Sequence, residues 1–194
     1  MSQRVGVVLA GGHGRRMGRP KGELEIGGKN LAERAAVALW PFCGSVVISF
    51  AAGGQNPAPQ YHGVEDAAPP GRGPLAGIHA AFTASGDADL LVLACDYPRV
   101  DNRLFKRLLE LASDDDDLVL VTDPKGRDHP LVSLWRRRTE PQVREALELG
   151  HLKVRSLLAD FDVRRLGPAD FQELDLSRAM LNLNWPSDLE QLQR

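Results

Sequence analysis

Arg4-Val5-Gly6-Val7-Val8-Leu9-Ala10-Gly11-Gly12-His13-Gly14-Arg15-Arg16-Met17-Gly18-Arg19-Pro20-Lys21 is the stretch on which the reading of this chain turns. Its apolar, β-branched opening reads as a strand buried on both faces. It breaks into a loop with four glycines and four basic side chains before any helical pattern begins. Glycines let backbone N–H groups close around an anion, while Arg15, Arg16, Arg19 and Lys21 bring positive charge. The plain alternative is a surface loop with solvated arginines. Glycines directly after the first strand, followed by Arg-Met-Gly and Pro-Lys, favour a phosphate site.

Two familiar loops do not fit. A P-loop closes on Gly-Lys-Ser/Thr, and here Gly22 follows Lys21; a dinucleotide fingerprint runs straight into a helix, whereas Glu23-Leu24-Glu25-Ile26 alternates like a short strand. The loop is a third kind of nucleotide site.

Outward from it, Asn30 caps a helix from Leu31 to Trp40-Pro41, and Ser45 to Phe50 is the second strand. Ala51 to His62 is a loop, Gly63 to Asp66 is extended, and Pro74 to Phe82 is a helix with proline at its first position. Asp89-Leu90-Leu91-Val92-Leu93-Ala94-Cys95-Asp96 is the most apolar run, as a central parallel strand is, and it places Asp96 at a strand end. Asp101 caps the next helix. Asp114 to Asp117 is read as a solvated turn, its side chains diverging too much to hold a metal.

Leu118 to Val121 and Pro130 to Trp135 are strands around the loop from Thr122 to His129. Helices follow over Arg136 to Leu149 and Lys153 to Asp160, then an edge strand from Asp162 to Leu166. Met180 to Trp185 is expected extended and Pro186 to Gln193 helical. The alternation gives one α/β domain over residues 1–194, with a doubly wound, mainly parallel sheet and helices on both faces. In such sheets ligands bind beyond the strands' carboxyl ends, where the loop, Ser49, Asp66 and Asp96 fall.

The 194 residues suit one such domain. A net charge of −2 gives no general pull toward nucleic acid or anionic membrane, so the basic first loop is a local feature that suggests a small polyanion. No apolar run is long enough to span a bilayer, and Met1 to Arg4 lead straight into the first strand, so the expected location is the cytoplasm. Cys43 and Cys95 fit neither a zinc motif nor a disulfide framework and read as buried apolar residues.

A carboxylate at the end of a buried strand needs a partner. Asp96 could bond loop amides, or it could hold Mg²⁺ shared with nucleotide phosphates, the reading the nearby loop favours. Asp66 could meet a ribose hydroxyl or brace the turn from Pro69 to Gly73. His129 could face a substrate or end a loop, and the other histidines read as surface or packing residues.

Leu9-Ala10-Gly11-Gly12 with Arg16-Met17-Gly18 and Pro20-Lys21, then Gly73-Pro74-Leu75-Ala76-Gly77-Ile78, Cys95-Asp96-Tyr97-Pro98, Arg127-Asp128-His129-Pro130 and Asn182-Leu183-Asn184-Trp185-Pro186, together resemble the molybdenum cofactor guanylyltransferases of the MobA type. The resemblance runs in order along essentially the whole chain. It implies a Rossmann-like nucleotide-diphospho-sugar-transferase fold. It also implies a reaction in which the terminal phosphate of Mo-molybdopterin attacks the α-phosphate of GTP, giving the guanine dinucleotide cofactor and pyrophosphate.

By the same resemblance Leu9, Ala10, Gly11, Gly12, Lys21, Ser49, Asp66 and Gly77 serve GTP, while Asp96 serves GTP and Mg²⁺. Arg16, Lys21 and Asp96 carry the catalysis, and Arg127 to Pro130, His129 among them, with Asn182 and Asn184 line the molybdopterin side. Proteins that deliver molybdopterin and receiving molybdoenzymes are the implied partners. The chain departs from the family pattern at Ser49, where asparagine is frequent, in the shortened Gly18-Arg19-Pro20, and at Trp185, where threonine is usual. Nucleotidyl transfer of this kind needs alignment and charge neutralisation rather than a protein nucleophile. The competing readings are a related transferase using CTP or another phosphate acceptor, and a non-catalytic GTP-binding or cofactor-delivery protein.

Overall fold

The computed structural model describes residues 3–11, 20–66, 73–183 and 188. Its elements are β1 (Arg4–Leu9), a hairpin of β2 (Glu25–Ile26) and β3 (Lys29–Asn30), α1 (Leu31–Leu39), β4 (Ser45–Phe50), β5 (His62–Glu65), α2 (Gly73–Ala84) and β6 (Asp89–Ala94). They continue with α3 (Asn102–Leu111), β7 (Leu118–Thr122), β8 (Asp128–Trp135), α4 (Glu140–Glu148), α5 (Val154–Leu157), β9 (Val163–Leu166) and α6 (Leu176–Ala179).

Among the described residues seven strands form one sheet in the order β5-β4-β1-β6-β8-β7-β9, and of these β8 alone runs against its neighbours. The mainly parallel sheet expected from the sequence is the one found.

The crossover from β1 to β4 moves one way along the sheet and that from β5 to β6 moves the other. Right-handed connections therefore put α1 and α2 on opposite faces. The period of two in β1 agrees with this. A Cβ on Gly6 would stand 3.0 Å from Val46 and 3.1 Å from Leu39 of α1, whereas Leu9 meets α2 at Gly77. Reversal of strand order at β1 opens the crevice in which such folds bind ligands.

Local signals are obeyed. Asn30 accepts from the Glu33 N–H at 2.8 Å while the Glu33 carboxylate accepts from the Asn30 N–H at 3.1 Å, so both orphan donors at the start of α1 are satisfied. Asp101 caps α3 by accepting from the Arg103 N–H at 2.9 Å. The core is continuous across the sheet, from Val7 and Val8 through Leu91 and Val92 to Leu120 and Trp135. Among the described residues no helix is long and apolar enough to cross a membrane.

Four expectations change. Glu23 to Ile26 is not one strand: a 3-10 turn, Lys21–Glu23, precedes β2. The acidic run is a solvated turn only in its first half: Asp114 and Asp115 are exposed, whereas Asp116 is buried and pairs with Arg164 at 2.7 Å, Asp117 pairs with Arg138, and the Arg138 guanidinium donates to three carbonyls of the run. Two arginines distant in sequence converge there, which local composition does not announce. Before the expected extended segment the chain forms α6, with Asp175 as its cap, and Met180 is the cap residue that ends it. Cys95 is buried as expected, but Cys43, in the connection from α1 to β4, is only partly buried against the core.

Candidate functional site

Parallel pairing brings the strand ends to one level. Beyond the strands the ladder continues: Ala10 N–H donates to Ser49 O at 2.8 Å, Asp66 N–H to Phe50 O at 2.8 Å and Cys95 N–H to Leu9 O at 3.1 Å. Four chain segments therefore present Ala10, Ser49, Asp66 and Asp96 along one edge of the sheet.

Between β1, β4 and α2 the packing leaves no spare volume. A Cβ on Gly11 would stand 2.5 Å from Asp66 Oδ2, and one on Gly77 would run into Ser49 Oγ and stand 2.9 Å from Leu9. Neither glycine has a positive φ, so closeness rather than backbone freedom demands them here. Ser49 is almost fully buried and donates to Asp66 Oδ1 at 2.5 Å. Ser49 thus braces Asp66 rather than facing the cavity. Burial pushes the Asp66 carboxyl above the usual carboxylate range, with the Ser49 hydrogen bond opposing.

Lys21 and Asp96, 75 residues apart in sequence, meet: Lys21 Nζ lies 3.3 Å from Asp96 Oδ2 and donates to Leu183 O at 2.6 Å. The Leu183 N–H donates to Asp96 O at 2.8 Å. The carboxyl-terminal segment is thereby stitched to the turn that follows β6. Asp96 sits two residues past the strand, half-buried, with Oδ1 shielded from solvent and accepting no hydrogen bond among the described residues. Burial raises its pKa against the opposing pull of the Lys21 charge. A hard, desolvated oxygen with a spare lone pair is suited to a cation or a ligand donor. Among the described residues no three His, Cys, Asp or Glu side chains converge, so a divalent cation at Asp96 would draw its other ligands from nucleotide oxygens and water.

Because β8 is antiparallel, its beginning lies at the same edge: Leu93 pairs with Val132, and the next residues bring His129 beside Tyr97. Around them opens a cavity of about 740 Å³ whose rim carries Lys125, Arg127, Lys153 and Arg155 and whose apolar wall includes Leu131 and Met180. Basic-rimmed and largely apolar, it suits a heterocycle bearing a phosphate.

Of the residues expected from the sequence, Leu9, Ala10, Gly11, Lys21, Ser49, Asp66, Gly77 and Asp96 lie along one edge, and His129 and Asn182 line the adjoining cavity. Gly12, Arg16 and Asn184 lie outside the described residues, as do the turn from Pro69 to Arg72 and most of the last helix. The expected arginine-rich half of the first loop falls there too. Sequence reading missed Asp123, Lys153 and Arg155, which no motif marks, and Tyr97, whose only signal was its place after Asp96.

Residues 6–167 match the model of the MobA-like NTP transferase domain. The chain is 32% identical over 192 residues to a probable molybdenum cofactor guanylyltransferase of Pelotomaculum thermopropionicum, covering 97% of this chain and 91% of that one. It is 36% identical over 169 residues to a probable molybdenum cofactor guanylyltransferase of Bacillus subtilis, covering 82% and 80%. In fold it is similar to the crystal structure of the molybdopterin-guanine dinucleotide biosynthesis protein A of Archaeoglobus fulgidus, with a TM-score of 0.77 and 24% identity over 96% of this chain and 95% of that one. A 2-C-methyl-D-erythritol 4-phosphate cytidylyltransferase of Thermus thermophilus shares the fold at a TM-score of 0.65 and 18% identity, covering 95% of each chain.

Proposed function

This chain belongs to the MobA-like NTP transferase domain family and is a nucleotidyltransferase, and from that premise we propose that it transfers GMP from GTP to the terminal phosphate of Mo-molybdopterin. A phosphate oxygen of the acceptor forms the new bond to the α-phosphorus, the bond to the bridging oxygen breaks, and pyrophosphate leaves with the electron pair. Guanine is the base in the names of the relatives that match over most of the chain, whereas the cytidylyltransferase shares only the fold.

The observation that carries the reading is the meeting of Lys21 with Asp96 where the tight edge opens into the basic-rimmed cavity. Nucleotide held along Leu9 to Gly11 and Asp66 would put its phosphates toward Lys21, and an acceptor in the cavity would approach from the β8 side. Lys21 supplies a fixed cation held by Leu183 O, so its orientation does not have to be organised during the reaction. The acceptor phosphate is ionised at neutral pH, so no protein base is required.

Asp96, whose Oδ1 is desolvated and accepts no hydrogen bond among the described residues, is the residue that would hold Mg²⁺. When bound, the cation neutralises charge on the nucleotide phosphates. The test is pyrophosphate release from GTP, with and without molybdopterin and Mg²⁺. Release that depends on molybdopterin and Mg²⁺ and is not supported by CTP is the expected result. Binding of both substrates with no release would make the chain a carrier, and preference for CTP would overturn the base assignment.

A further inference from the structure

The loop between β7 and β8 is built around one carboxylate. In Asp123-Pro124-Lys125-Gly126-Arg127 the proline presets the turn, and Gly126 takes a φ of 73°, which glycine adopts without strain. The Asp123 N–H donates to Arg127 O at 3.0 Å and the Gly126 N–H to Asp123 O at 2.9 Å, which closes the loop on itself. Asp123 Oδ1 then accepts from the N–H groups of Lys125 at 2.8 Å and Arg127 at 3.0 Å.

Its other oxygen meets side chains. Arg127 Nε and Nη2 stand 2.7 and 2.6 Å from Asp123 Oδ2, and His129 Nε2 lies 3.3 Å from the same oxygen. Burial raises the pKa of the carboxyl, but the hydrogen bonds from Arg127 and the backbone outweigh it and hold the group well below the usual range. It stays ionised at neutral pH. The two partners differ in exposure: the Asp123 side chain is 3% exposed and that of Arg127 58%. One edge of the guanidinium is therefore clamped to a buried anion. Its outer N–H groups, those of Nη1 among them, have no partner among the described residues and are left for the cavity that Arg127 lines.

Among the described residues no other cation of the rim is held in this way. Lys125 and Lys153 are exposed and make no side-chain hydrogen bond or ion pair there, and Arg155 is tied by a single donor to Asp128 O at 2.8 Å. A loose cation attracts any anion and loses that attraction in salt. A clamped and neutralised one offers directed N–H donation instead, and it gives up little side-chain freedom on binding. A guanidinium has donors only, so what it selects is a lone pair.

We infer that Asp123 is a positioning residue for acceptor binding, which fixes Arg127 so that its outer N–H groups donate to an oxygen of molybdopterin. This rests on the cavity being the acceptor side of the proposed transferase. Without the carboxylate, Arg127 becomes another loose cation of the rim.

The test follows KM for molybdopterin from low ionic strength to about 1 M salt, where screening acts over about 3 Å, in the wild type, Asp123→Asn, Arg127→Lys and the double variant. Asp123→Asn keeps the size of the side chain, but once its oxygen has taken the two backbone N–H groups it turns an N–H donor toward the guanidinium. Arg127→Lys keeps the charge and loses the two-pronged hold. Each is expected to raise KM about tenfold at high salt, the scale of one hydrogen bond to a charged group. The rise is smaller at low salt, where a loose cation still attracts an anionic substrate. The double variant loses no more than the worse single one, because both substitutions break one contact. GTP affinity close to wild type in each variant separates a local effect from misfolding.

Wild-type KM in Asp123→Asn, full replacement of Arg127 by lysine at high salt, or losses that add in the double variant would overturn the inference. Arg127→Lys, at an exposed position, decides the matter if Asp123→Asn does not fold. Calorimetry of molybdopterin binding over the same salt series needs no turnover. Substrate bound without pyrophosphate release removes the transferase reading alone, whereas binding that neither substitution weakens removes the positioning role alone.

Discussion

On the β5-β4-β1-β6 side of the sheet all strands point one way, their ends are level, and glycines press the backbone against Asp66 with no room for a methyl group. On the β8-β7-β9 side one strand is reversed, the wall is part apolar, and a cavity of about 740 Å³ is ringed by long cationic side chains. The first is a mould, in which shape excludes; the second is an open tray, in which charge and a few oriented polar atoms select. Asp96 stands at the border with Lys21. Changes at the border should therefore halt chemistry, changes in the mould should fail by collision, and changes on the tray should alter affinity by small, salt-dependent amounts.

The largest effects are expected at the border. Lys21→Ala and Asp96→Ala each lower turnover by at least ~10²-fold, the scale for one preorganised charge-stabilising group. Quenched-flow measurement of GMP transfer separates this from slow product release. Near-normal rates in both variants would remove the border from the mechanism.

Next comes the mould. Gly77→Ala places a methyl group on Ser49 Oγ and close to Leu9, and overpacking of that kind destabilises by ~1–3 kcal/mol. Denaturant titration and GTP calorimetry should both register it. Ser49→Ala removes the atom in the way, so the double variant is less destabilised than the sum of the two. Additivity would mean that the edge has slack.

The mould was largely legible from sequence and the tray was not, for a physical reason. A parallel strand entering a glycine loop writes its function in contiguous residues, so Leu9 to Gly11, Lys21 and Asp96 could be picked out singly. The tray is assembled by β8 running backwards, which the spacing of Leu118 to Val121 and Pro130 to Trp135 left undetermined. That reversal carries His129 to Tyr97 and makes Asp123, in the loop between β7 and β8, a buried anchor. The second half of the acidic run was missed for the same reason: Arg138 and Arg164 arrive from elsewhere in the chain, and composition describes only what is local. Ser49 also supports Asp66 from within, a contact between β4 and the end of β5 that local sequence does not announce.

Smaller effects belong to the rim. Lys153→Ala and Arg155→Ala, both exposed, should each raise KM for molybdopterin only a few-fold at low ionic strength, on the scale of a single exposed charge pair. The difference from wild type should shrink as salt is raised to about 1 M, where screening acts over about 3 Å. A loss that persists in high salt would mean that these side chains close on the ligand and exclude water.

Smallest, and opposite in sign on the two sides, are the responses of stability to acid. Burial lowers the pKa of His129 below its ordinary 6.5, so just below that pH the unfolded chain binds more protons than the folded one. The tray side therefore loses stability as pH falls from about 6.5. Asp66 behaves in reverse. Burial raises its pKa above the ordinary 3.8, so in the interval above 3.8 the folded chain holds the extra proton, and stability is lost as pH rises through the raised value.

Melting curves between pH 4 and 7.5 should then show His129→Asn flattening the descent that begins near 6.5, and Asp66→Asn flattening the opposite slope at lower pH. Each substitution should leave the other slope in place, because no hydrogen bond or ion pair joins the two side chains among the described residues. If His129→Asn leaves the upper slope untouched, the imidazole in the cavity wall is not held neutral.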